Sequence, residues 1–284
     1  MTLNETYALA NGIQIPKLGL GTWLIDDDKV ADVVRNAIDI GYRNIDTAQA
    51  YGNERGVGEG VRASGPLRED LFVSTKLAAE IKDYDAAVAA IDESLAKLDI
   101  GYIDLMLIHS PEPWEDYRGG SYDEGNRQAW RALEDAHKAG KIRTIGVSNF
   151  QPSDIENILQ VATVAPTVNQ ILVHVGNTPT DIIDYCEAHD ILIEAYSPIA
   201  HGEVLASTEI AEIAGRYEVS VPQLCIRYTI QLGAVSLPKT SNLEHLRSNA
   251  DVDFVISDAD MQVLSNLVLR DYGDSAAFPV YSGK

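Results

Sequence analysis

Short apolar runs rich in β-branched residues alternate along the chain with amphipathic segments of helical period. The runs fall at 17–20, 43–45, 71–75, 103–108, 142–147, 167–169, 191–195 and 234–237. The helical patterns fall at 28–40, 54–63, 85–98, 122–139, 152–162, 179–189, 208–217, 222–231, 243–249 and 258–269. Apolar strands without alternation are expected when both faces of a parallel sheet are covered. Eight strand-then-helix units in this length predict an α/β fold, a closed (β/α)8 TIM barrel, with an open doubly wound sheet as the competitor. The Gly56-Val57-Gly58-Glu59-Gly60 stretch does not favour that competitor. Its spacing is wrong for a dinucleotide fingerprint, and it lies inside a helical pattern rather than directly after a strand. Ahead of the repeating pattern, residues 7–15 read as a β-hairpin turning at Asn11-Gly12, expected to plug one end of the barrel. No linker or shift in composition divides residues 1–284, so one domain is expected.

Charge narrows the partners. The 284-residue chain carries a formal net charge of −21, which argues against nucleic acid and for a well-solvated acidic surface. A phosphorylated cofactor would need the few cations gathered locally. No run reaches the roughly 18 apolar residues of a membrane span, and the first residues lack the basic start and apolar core of a signal peptide. Cys186 and Cys225 are isolated, and a reducing cytoplasm is the expected location.

Candidate chemistry lies at the carboxyl ends of the strands, where barrels of this kind build their sites. In chain order these ends carry Gly21, Thr22 and Trp23; Asp46; Lys76; His109; Ser148 and Asn149; Gln170; Tyr196 and Ser197; Lys239 and Thr240. Asp46 is followed by a loop bearing Tyr51, with Asn53 as a candidate cap for the next helix. A buried carboxylate needs a partner, and Lys76 is the candidate. Lys and Asp beside a phenol should lower its pKa and make a proton donor near neutral pH. Singly, each residue has an ordinary reading: a structural ion pair, a satisfied histidine, a loop aromatic. As one rim they read as an active site. No Walker motif, nucleophile elbow or zinc-like ligand spacing is present, so no metal is expected. Asp26-Asp27-Asp28 reads as a solvated helix start, with calcium as the weaker alternative there.

Four segments resemble the aldo-keto reductase superfamily: residues 41–58, Leu105-Met106-Leu107-Ile108-His109, Gly146-Val147-Ser148-Asn149-Phe150, and Leu237-Pro238-Lys239-Thr240 onward. The form without long inserted loops is similar to bacterial members such as the 2,5-diketo-gluconate reductases. The resemblance implies reduction of a small aldehyde or ketone by hydride from NADPH, with NADH also usable. It implies Tyr51 as general acid, Lys76 paired with Asp46 as its tuner, and His109 as the group that orients the carbonyl. Ser148, Asn149 and Gln170 would hold the nicotinamide carboxamide, and Tyr196 would stack on its ring. Gly21, Thr22, Asp46 and Ser197 would complete that side of the cofactor site. Lys239 and Thr240 would meet the 2′-phosphate, with His245 and Asn249 beyond. Trp23 and Trp114, with the tail aromatics Tyr272, Phe278 and Tyr281, would line the carbonyl pocket, and the protein would act as a monomer or weak oligomer. Two departures stand out. Ser110 follows His109 where the family usually has Trp, which should open the pocket. His245 and Ser248 stand where Arg and Glu are usual, which should weaken the preference for NADPH. The rivals are a Schiff-base aldolase using Lys76, which Asp46 would keep protonated, and a regulatory cofactor binder of low turnover, against which the full set Asp46, Tyr51, Lys76 and His109 argues.

Overall fold

The computed structural model describes residues 1–269 and 271–282. A hairpin of β1 (Thr6–Ala8) and β2 (Gln14–Pro16) precedes the barrel. The barrel strands are β3 (Gly19–Gly21), β4 (Asn44–Asp46), β5 (Phe72–Leu77), β6 (Ile103–Ile108), β7 (Ile142–Ser148), β8 (Val168–Leu172), β9 (Leu192–Tyr196) and β10 (Val235–Leu237). They pair in parallel and in chain order. The sheet closes on itself through bridges Leu18–Ser236 and Gly21–Lys239, with Gly21 N–H donating to the Pro238 carbonyl at 3.0 Å. The helices are α1 (Asp27–Ile40), α2 (Glu54–Arg62), α3 (Tyr84–Leu98), α4 (Asp123–Lys138), α5 (Pro152–Leu159), α6 (Thr180–Ala188), α7 (Thr208–Arg216), α8 (Val221–Gln231), α9 (Leu243–Ala250) and α10 (Asp258–Asn266). The fold is the (β/α)8 barrel expected from the pattern, with α10 ending three residues before the last apolar position of its sequence pattern.

Of the three apolar clusters among the described residues, two pack on the barrel sheet from outside and inside. One lies between sheet and helices, where Val30, Val34 and Ile38 of α1, Val57 of α2 and Trp130 of α4 pack with outward residues of the strands. The other fills the lower barrel, where Phe72, Leu105, Leu107, Val168, Val235 and Leu237 meet Leu9 and Ile15 of the hairpin. The hairpin is therefore the expected plug, and Tyr7 fixes it by donating to the Ile230 carbonyl at 2.9 Å.

The glycine-rich stretch has a packing role. A Cβ at Gly56 would overlap the Asp27 carbonyl oxygen, one at Gly60 that of Ala31, and one at Gly58 that of Leu98. Small residues let α2 lie directly on the backbones of α1 and α3. That contact fixes the start of α2, and with it the loop that carries Tyr51.

Candidate active site

Side chains alternate across a strand, so Asp46, Lys76, Gln170 and Glu194 share the inner face. Lys76 is fully buried and Asp46 is 3% exposed. Lys76 Nζ donates to both carboxylate oxygens of Asp46 at 2.7 Å and to the Thr47 carbonyl at 2.8 Å. Its three hydrogens are thus spent. Burial pulls its pKa down, but Asp46 first, then Tyr51, outweigh burial and hold it above the ordinary lysine value. Gln170 Nε2 donates to Asp46 Oδ1 at 2.9 Å. The two residues lie on β8 and β4, so this bond crosses the barrel interior.

The loop after β4 is stapled. Asn53 occupies the cap position of α2, yet its side chain makes no cap hydrogen bond. Instead its amide donates to the Thr22 and Ile25 carbonyls at 2.9 Å, and its oxygen accepts from Thr47 Oγ1 at 2.7 Å. Gln49 bonds the Ala90 carbonyl, Ser94 Oγ and the Ala78 N–H. These bonds hold Tyr51 against the rim rather than leaving it on a free loop.

Tyr51 and His109 meet edge to face with ring centres 5.7 Å apart, and Trp114 meets the far edge of His109 at 5.1 Å. Lys76 Nζ lies 5.0 Å from the centre of the Tyr51 ring. With its hydrogens engaged elsewhere, Lys76 acts on Tyr51 as a charge. The expected lowering of the phenol's pKa is not what the site gives. Burial pushes Tyr51 up, and Lys76 offsets this only in part because Asp46 opposes it. Tyr51 is therefore a protonated phenol at neutral pH. Burial, and then the Lys76 charge, hold His109 well below the usual histidine range, so it is a neutral imidazole.

A cavity of about 630 Å³ opens over this group. Its wall includes Gly21, Trp23, Asp46, Tyr51, His109, Trp114, Ser148, Asn149, Gln170, Tyr196, Ser197 and Lys239. Tyr196 donates to Asn149 Oδ1 at 2.7 Å, and Asn149 Nδ2 donates to the His109 carbonyl at 3.0 Å, so the neighbours hold one another in place. Ser148 Oγ donates to the Gln170 carbonyl at 2.8 Å.

Other sequence-predicted residues lie elsewhere. Thr22 is buried and turns its hydroxyl onto the Asp46 carbonyl at 2.9 Å, so it supports β4 and does not line the cavity. Thr240, His245 and Asn249 do not border the cavity; His245 is exposed on the first turn of α9, and Asn249 is buried on its inner side. Phe278 and Tyr281 of the tail do line it, packing on Trp23 with ring centres at 4.8 and 6.4 Å. Tyr272 does not; it meets His174 Nε2 at 3.0 Å and anchors the tail. Ser110 does not open the pocket either. It is buried away from the cavity, its carbonyl accepts from Lys82 at 2.8 Å, and Trp114 supplies the aromatic wall beside His109.

The chain as a whole is similar to known proteins. The aldo/keto reductase family model matches residues 17–268. The chain belongs to the aldo/keto reductase family. It is 38% identical to the glyoxal reductase of Bacillus subtilis over 268 residues, 94% of each chain. An aldo/keto reductase structure from Brucella melitensis superposes with a TM-score of 0.86 at 35% identity, covering 92% of this chain and 97% of that one. A Bombyx mori aldo-keto reductase solved in complex with NADP superposes with a TM-score of 0.83 at 33% identity, covering 98% of each. In general terms the chain is an oxidoreductase of the type that reduces small carbonyl compounds with a nicotinamide cofactor. No helix among the described residues is long and apolar enough to cross a membrane.

One member of this aldo-keto reductase's polar core escapes a reading of strand ends. Glu194 lies two residues before the end of β9, fully buried, and accepts from Gln170 Nε2 at 2.8 Å. An acid inside the apolar run Ile191-Leu192-Ile193-Glu194-Ala195 was the available signal. Burial, then the Asp46 charge, push its carboxyl up to about 7. An acid whose pKa is raised by folding binds extra protons in the native state, so stability falls as pH rises from about 4.5 to about 7 and is level above. Glu194→Gln removes this loss. Relative to the variant, the parent should lose on the order of 3 kcal/mol between pH 4.5 and pH 7.5. Unfolding in urea at several pH values measures it; parallel curves for parent and variant would contradict the raised carboxyl.

Proposed function

We propose that the protein reduces aldehydes or ketones to alcohols, taking hydride from NADPH and the proton from Tyr51. What carries this reading is the convergence of Tyr51, a neutral His109 and Asp46 on one cavity wall, with Lys76 buried beneath and fully engaged by Asp46 and Thr47. The residues suit a nicotinamide cofactor: Tyr196 offers a ring face, Gln170 keeps an unspent amide carbonyl, and Lys239 brings a cation to the rim of an acidic protein. The bound cofactor supplies hydride. Trp23, Trp114, Phe278 and Tyr281 exclude water and hold the substrate's apolar part. His109, being uncharged, donates one N–H to the carbonyl oxygen and orients it. Tyr51 gives its proton to the same oxygen, and the Lys76 charge eases the phenolate left behind. A Schiff base on Lys76 is disfavoured, because that amine is protonated and all three hydrogens are bonded.

The cavity is built by one chain as a single barrel domain, so a monomer suffices for catalysis. The two cysteines are buried and free, in keeping with a cytoplasmic protein. The glyoxal reductase relative puts short dicarbonyls first among substrates to try. The test is a panel of glyoxals, aldehydes, ketones and keto-sugars with NADPH and with NADH, followed at the nicotinamide absorbance. Turnover with none of them would remove the reading and leave the low-turnover binder.

Cofactor choice follows from the cations. Lys239→Met should cut kcat/KM for NADPH roughly tenfold or more and leave that for NADH nearly unchanged, since a charge-assisted bond to phosphate is lost. His245→Arg should strengthen the preference for NADPH by ~1–2 kcal/mol, because Arg brings a permanent bidentate charge to the first turn of α9. Steady-state kinetics with both cofactors measure this; a preference unmoved by either change would place the 2′-phosphate elsewhere.

A further inference from the structure

The amide of Gln170 can face either way in principle, with its carbonyl or its NH2 toward the cavity. Which way it faces decides whether the site accepts or donates at that point. Two carboxylates set the answer. Gln170 Nε2 lies 2.9 Å from Asp46 Oδ1 and 2.8 Å from Glu194 Oε2. Carboxylate oxygens accept and do not donate when ionised, so both hydrogens of the NH2 must point inward. No described group donates to Gln170 Oε1, and Gln170 lines the cavity.

The two acids are not equal in this. Asp46 already takes two bonds from Lys76 and one from Ser74 Oγ at 3.2 Å. It would remain well satisfied if the Gln170 amide turned over. Glu194 is different: among the described residues its Oε1 lacks a well-formed hydrogen bond, with Asn44 as the near neighbour of the carboxyl, and Gln170 supplies the 2.8 Å donor to its Oε2. Gln170 and Glu194 are also directly paired in the β8–β9 register, so their side chains leave the sheet side by side. A proton on Glu194 sits most readily on Oε1 and leaves Oε2 an acceptor.

We infer that Glu194 is a positioning residue that fixes the Gln170 amide with its carbonyl toward the cavity, where it accepts from the carboxamide NH2 of the nicotinamide. The inference rests on the proposed reading of the cavity as a nicotinamide site. It deepens that reading by making a buried acid, which touches neither cofactor nor substrate, responsible for recognising the carboxamide.

The test is binding, not turnover. Dissociation constants are measured by quenching of intrinsic tryptophan fluorescence for NADP⁺ and for its 3-acetylpyridine analogue, in which a methyl group replaces the carboxamide NH2. The parent should bind NADP⁺ about tenfold tighter, the worth of one hydrogen bond. Glu194→Leu and Glu194→Met lack the acceptor, and the ratio should fall to about twofold or less as the Gln170 amide turns freely. Glu194→Gln can still accept from Gln170 through its own amide carbonyl and should restore the parent's ratio. Removing a buried carboxyl without a charged partner of its own should not unfold the barrel, and circular dichroism of both apolar variants checks this. Gln170→Leu separates the two layers of argument. If it leaves the ratio at the parent's value, or if the parent binds both compounds equally, the carboxamide reading of Gln170 fails. If Gln170→Leu abolishes the ratio while Glu194→Leu and Glu194→Met keep it, the inference about Glu194 alone is overturned.

Discussion

Tyr51→Phe should lower kcat for carbonyl reduction by roughly 10²-fold or more while leaving cofactor affinity nearly unchanged, the usual scale for loss of a general acid. The ring is retained, so its edge-to-face contact with His109 survives, and the loop stays held by Asn53 and Gln49. Only the hydroxyl is lost. Burial keeps that hydroxyl protonated at neutral pH, against the pull of Lys76, so the parent's proton is available for transfer. Steady-state kinetics with a good substrate, beside a fluorescence titration of NADPH, give both quantities. A variant with near-parent kcat would remove Tyr51 from the chemistry.

Lys76→Met should abolish most activity and destabilise the fold by roughly 3–5 kcal/mol, because breaking a buried pair leaves a charge without compensation. Asp46 is 3% exposed, and the replacement brings no donor. Ser74 and Gln170 would remain as its hydrogen-bond partners, but neither carries a charge. Tyr51 should lose the Lys76 charge that offsets burial and become a still weaker acid. Adding Asp46→Asn to Lys76→Met should return part of the stability and none of the activity. Urea unfolding and kcat on the two variants measure this. A single variant as stable as the parent and still active would mean that the pair does neither job.

The order of strands and helices was legible because each barrel unit needs a short apolar strand and an amphipathic helix, and both periods are visible in sequence. The catalytic candidates Asp46, Tyr51, Lys76 and His109 were legible because strand ends in such a barrel share one rim. What sequence could not supply was direction. Thr22 and Ser110 sit next to rim residues but turn away from the cavity, since neighbouring positions on a chain need not share a face. Asn53 has the residue type of a cap and spends its side chain on two carbonyls of the loop after β3 and on Thr47 of its own loop. The sign of the Tyr51 shift depends on how deeply the ring is buried and on Asp46 opposing Lys76, and neither is visible in spacing. Glu194 was hidden because it lies inside a strand, two residues short of the rim.

The most direct test of the central claim follows the hydride. The protein is given NADPH bearing deuterium at C4 of the nicotinamide, one face labelled at a time, with the best carbonyl from the substrate panel. One labelled form should deliver a single deuterium to the former carbonyl carbon of the alcohol, and the other should deliver none. Product free of deuterium from both forms would contradict the account.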